Sequence, residues 1–138
     1  MNATRPFAIL AWIALPAVMY GGYAPLSLLT HNGLDEFRQT FFRAGHAHAG
    51  VLLLLALLYH NYLSRTTISN PLKLAASSVL LIGILAQSGG FFVHMAIGEP
   101  GTPSLGTMTT VGAVLLAAAM GLLVYALISA WNPDPREV

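Results

Sequence analysis

Residues 41–63 read FFRAGHAHAGVLLLLALLYHNYL, and within these 23 residues the one formal charge is Arg43. Crossing the hydrocarbon of a bilayer takes about 20 largely apolar residues in a helix. This stretch is long enough, and its leucines run on without the alternation that a barrel strand would need. It therefore reads as a membrane-spanning helix with two histidines, His46 and His48, at its mouth.

Three further stretches of the same kind lie around it. The four spans fall at about 7–29, 42–63, 72–97 and 105–131. Nearly every charge lies between them or at the ends, in the segments THNGLDEFRQT, SRTTISNP and GEPGTPS, which are built of turn formers and polar residues. The expectation is an all-α, polytopic membrane protein, a four-transmembrane-helix bundle forming a single domain over residues 1–138. Composition agrees: 8% of residues are charged, against about 25% in an ordinary soluble domain, and the mean hydropathy is +0.69. A net charge of +1 gives no electrostatic footprint for nucleic acid. With no cysteine, the chain has neither disulfides nor thiolate ligands for zinc, iron–sulfur clusters or haem.

The first span has a weakly basic start in Arg5, as a signal peptide would. Its apolar run is long, however, and the best small-residue site, GGYA, is followed by Pro25. It is read as a retained helix, kinked near Pro16, where a backbone donor is missing. Four spans put both termini and the middle connection on one side. That side holds Arg5, Arg65, Lys73 and Arg136, and the other holds Arg38 and Arg43. The positive-inside rule then places both termini in the cytoplasm, with a bacterial inner (plasma) membrane as the expected location.

On this orientation His31, His46, His48 and His94 fall toward the outer face, while His60 lies near the inner end, about 18 Å from His48 along the helix. Residues two apart on a helix are separated by 200°, so His46 and His48 point to nearly opposite sides and do not form a two-ligand clip. His48 shares a face with Tyr59, and His46 that of Leu53, Leu57 and His60. One histidine is expected to act as a ligand. The other is expected to face the membrane surface or a neighbour. Gln87 lies about two turns before His94 on the same face, and in a bundle interior its amide needs a partner. Arg43 suits an anionic group such as a haem propionate. The small residues Ser88, Gly89 and Gly90 allow a flat ligand close to the backbone. Ala113, Ala117 and Gly121, four apart, read as a helix-packing face.

RAGHAHAG at the head of a leucine-rich helix resembles the RAHSG segment that opens the second helix of the styrene oxide isomerase family. LIGILAQSGGFFVHM, followed by a Gly/Pro-rich connection, resembles that family's third helix. The resemblance implies a small trimeric membrane protein of four helices that binds haem b through one histidine. Its ferric iron would act as a Lewis acid, opening an epoxide to a carbonyl compound without net redox change. By motif, His48 would be the iron ligand, with Ala47, Ala49 and Gly50 as tightly packed neighbours. Arg43, Gly90 and Tyr59 complete the expected cofactor contacts. His94, near the other iron face, is assigned with Phe92 and Gln87 to the substrate side. Two family polar groups are absent, since Leu54 and Phe92 stand where an asparagine and a tyrosine would serve the substrate.

The expected function is therefore a haem b-binding membrane protein, a redox-neutral isomerase of a small lipophilic epoxide and a homo-oligomer. Two other classes fit the same residues. One is an accessory membrane subunit without chemistry. The other is an outer-face transition-metal site using His31, His46 or His48, His94 and Glu99, because imidazoles suit such ions.

Overall fold

A computed structural model describes residues 3–29, 33–101 and 106–131, with only the backbone described at 24–29. His31 and Arg136 lie outside the described residues. The chain forms four helices: α1 (Arg5–Leu29), α2 (Glu36–Ser64), α3 (Asn70–Ile97) and α4 (Gly106–Trp131). All four are long and apolar enough to cross a membrane. The molecule is an all-α, four-helix transmembrane bundle.

Local chemistry sets the helix ends. Asp35 caps α2, its carboxylate accepting from Arg38 N at 2.8 Å. The segment EFRQT, expected as connection, continues as helix because that cap lies ahead of it. Ser69 precedes α3, with Pro71 in the first turn, where a missing N–H costs nothing. At the other end of α3, Gly98 N donates to His94 O at 2.8 Å. Gly101, at φ 81°, then makes the left-handed turn that an L side chain resists. α1 is helical through Pro16.

Consecutive helices are antiparallel. Phe7 stacks on His60 and Gly22 lies against His46, so α1 runs down α2. Lys73 Nζ donates to Thr66 O at 2.7 Å, and Gly45 lies against Phe91 and Phe92 at the far end of α3. Gly83 meets Leu116, and Gly90 meets Thr109, fixing α3 on α4. One end of the bundle, here the terminal end, thus carries Arg5, the α2–α3 turn and Trp131. The distal end carries the other two connections.

The core is narrow and built of small and aliphatic residues, among them Ala56, Leu63, Ala76, Leu80 and Ala119. Tyr59, 1% exposed, reaches across it to donate to Ala119 O at 2.9 Å. The periphery is apolar: Trp12, Ile13, Val51, Ile82 and Val114 are all exposed. Lipid chains match such a surface where water would not.

Two expectations about small residues change. Ala113, Ala117 and Gly121 face outward on α4, and the inward stripe is Gly112, Ala119 and Ala126, seven apart. Gly90, expected beside a ligand, is in close contact with α4: a Cβ there would lie 2.6 Å from Thr109 Cγ2 and 3.1 Å from Thr109 N.

Candidate functional site

α2 presents its two distal histidines to different neighbours. His46 lies on the α1 flank, stacked on Phe42 at 5.8 Å and against Gly22. It lines a cleft with Ala14, Gly21, Ala49 and Phe92. The expected direction, toward the membrane surface or a neighbour, becomes a contact with α1. His48 lies on the other flank, half-buried, with the ring of Phe91 4.7 Å away.

The His48 ring is held in one tautomer. Nδ1 is 2.8 Å from Ala44 O, one turn back on the same helix. A carbonyl only accepts, so Nδ1 is the donor, and of the two neutral tautomers the contact selects the one with its lone pair on Nε2. Ligating histidines take this arrangement, in which one ring nitrogen donates to a carbonyl and the other binds the metal. In that tautomer His48 offers Nε2 as an oriented ligand nitrogen on a half-buried helix flank.

The other expected contacts divide. Arg43 is exposed, and Nη2 reaches only Gln39 Oε1, at 3.4 Å. Among the described residues the one ion pair joins Arg38 to Asp35, so the Arg43 guanidinium keeps donors for an anion. Gly50 is not tightly packed, because a Cβ there would meet nothing within 4 Å. Tyr59 is committed to Ala119, eleven residues and about 16 Å of rise from His48. Phe92 lies across α2 with His46 and Phe42, and Phe91 is the ring that His48 meets. Leu54 points outward.

His94 is 5% exposed and boxed by Phe37 and Phe41, with ring centroids at 5.3 and 4.1 Å. Phe41 precedes His48 by seven residues, two turns of α2 nearer the distal end. The two imidazoles thus have separate aromatic neighbours at different depths, and the structure does not set His94 opposite His48. Its Nδ1 has no hydrogen-bond partner, nor do Gln87 Oε1 and Ser88 Oγ on the same helix. Gln87 also sits at the closest approach of α3 to α4, its backbone against Gly112.

Three features of this site escape a reading of the sequence alone. The Ala44 carbonyl was reachable in principle, since position i−4 is the nearest backbone acceptor to a helical histidine. Choosing Phe91 over Phe92 needs the rotation of α3, which adjacent aromatics leave open. The inward stripe of α4 is signalled by small residues seven apart, a weaker pattern than the fourfold one beside it.

Among the described residues no group of three His, Asp or Glu side chains is placed to hold a metal ion. No family model, curated protein or solved structure matches the chain.

Proposed function

We propose that the chain is a haem b-binding integral membrane protein, resembling styrene oxide isomerase, with His48 as the iron ligand. The observation that carries the reading is the Nδ1 contact of His48 with Ala44 O, which leaves Nε2 free. Two features of the residues present suit the cofactor: an imidazole whose Nδ1 is engaged by Ala44 O, and a cation, Arg43, with spare donors for a propionate. Bound ferric haem would supply the Lewis acid that draws on an epoxide oxygen, giving redox-neutral isomerisation to a carbonyl compound.

The chain's own residues do the rest. His48 orients the cofactor, and the Ala44 carbonyl keeps its ring from rotating. Phe91 walls the imidazole on the α3 side. Gln87 and His94 carry polar atoms without internal partners and are the candidates for substrate contact on α3, although His94 stands in its own Phe37–Phe41 box rather than opposite His48. A small lipophilic epoxide partitions into the bilayer and enters from lipid, and no nucleic-acid partner is proposed. The protein is proposed to act as a homotrimer in a bacterial inner membrane with both termini in the cytoplasm, so that His48 lies toward the outer face.

The test is the visible spectrum of protein expressed with haem available and purified in mild detergent. The wild type and His46→Ala should both show a Soret band, and His48→Ala should lose or strongly shift it. A folded wild type without the band, or a His48→Ala protein that keeps it unchanged, overturns the assignment. With the band established, conversion of an aryl epoxide to its aldehyde without added oxidant or reductant tests the isomerase step.

A further inference from the structure

His60, at the terminal end of α2, is 4% exposed; the Ala56 carbonyl one turn back is the one acceptor beside its ring, and neither ring nitrogen meets it in full hydrogen-bond geometry. Burying a polar N–H in apolar surroundings without a partner is costly, and such groups in native structures normally have one. The ring is stacked on Phe7 at 5.8 Å and edge-on to Tyr59 at 5.7 Å.

Two clefts meet at this imidazole. One, of about 220 Å3, is walled by Phe7, Ala14, Leu53, Leu80 and Ile84, with His60 as its one polar residue. It lies between α1 and α3 on a floor of α2, and α1 makes no extended contact with α3 that would close it. The other, of about 460 Å3, opens at the terminal end. Arg5, Asn61 and Ser64 line it with His60, and no acidic side chain does. The sequence from mouth to depth is therefore a cation, a buried hydrogen-bonding ring and a greasy slot.

We propose that this junction binds a single-chain carboxylic amphiphile, a free fatty acid. Its carboxylate accepts from His60 and pairs with Arg5, and its chain lies in the slot between α1 and α3. An ordinary lipid tail would fill the slot but leave the imidazole unsatisfied and the arginine unmatched. A carboxylate supplies both, and the narrow slot suits one chain rather than the two of a phospholipid. Nothing here involves His48, so the site stands or falls independently of the haem reading.

The test is equilibrium binding of radiolabelled oleic acid to the full chain in phosphatidylcholine nanodiscs, with and without haem during expression. Competition is measured with methyl oleate, which keeps an acceptor but no charge, and with 1-octadecene, which has neither. Saturable binding of one oleate per chain is expected, with methyl oleate about tenfold weaker and octadecene weaker again. His60→Phe and Arg5→Gln should each weaken oleate about tenfold, and Ala14→Phe should block the slot. Equal competition by all three compounds overturns the proposal, since the slot then takes any acyl chain. So does non-saturable uptake, or cross-linking that places a second copy over the cleft. The three-compound comparison needs only wild-type protein, so an unstable variant leaves the answer intact.

Discussion

Glycine shows at single residues how little separates packing from clash in this bundle. At Gly112 a Cβ would land on the backbone of Gln87 and Ala86, which have no flexible end to give way. Gly112→Ala should therefore push α3 from α4 and cost roughly 1–3 kcal/mol. Gly121, nine residues on, faces open space. Gly121→Ala should stay within about 1 kcal/mol of wild type. Unfolding midpoints in one detergent compare the two directly, and equal losses would contradict the placement of α4. The sequence offered no such distinction, because both glycines lie in runs of small apolar residues. The divergence of His46 and His48, by contrast, follows from helix geometry alone: two steps of 100° cannot bring both rings to one point. Which ring keeps a free nitrogen required the carbonyl of Ala44 to be seen beside it.

At the scale of the elements, two polar side chains fix where α2 begins and ends. Asp35 accepts from Arg38 N and pairs with the Arg38 guanidinium. The Arg38 backbone N–H, foremost, holds the Asp35 carboxyl below the ordinary value of 3.8. A depressed folded value means the cap's contribution is complete above pH 3.8 and drains away as pH falls below it. Asp35→Ala should melt at a lower temperature than wild type at neutral pH. That gap should close as acid protonates the wild-type carboxyl, and a gap that persisted through this window would show another origin. Lys73 does the corresponding work at the other end. Lys73 is 8% exposed, and its Nζ donates to Thr66 O at 2.7 Å and Ser64 O at 3.4 Å, satisfying carbonyls left over where α2 stops. Lys73→Met should cost roughly 1–3 kcal/mol, with Lys73→Arg keeping part of it, read as thermal unfolding in detergent. The apolar runs locate these helices but not their ends. Asp35 and Lys73 stand outside or at the edge of the spans, where caps rather than hydropathy decide.

For the whole molecule, the number and order of spans follow from length and hydropathy, because a bilayer leaves a 23-residue apolar run few alternatives. The facing of α4 does not follow. That helix is apolar around its circumference, so only close approach at Gly112 and Ala119 selects its inner side. The antiparallel order puts Arg5, Arg65 and Lys73 at the terminal end and Arg38 and Arg43 at the distal end. Lys73 keeps its charge in the count although it is tied inward, and Asp35 beside Arg38 subtracts little, since orientation responds to Lys and Arg rather than to net charge. The chain has no cysteine, so a single introduced thiol reports one position. Thr67 and Pro100 are exposed in connections at opposite ends. In intact bacterial cells a membrane-impermeant maleimide should label Pro100→Cys, and Thr67→Cys should label only after lysis. The reverse pattern would invert the molecule. The distal end with His48 would then face the cytoplasm, and the Arg5–His60 cleft would open outward.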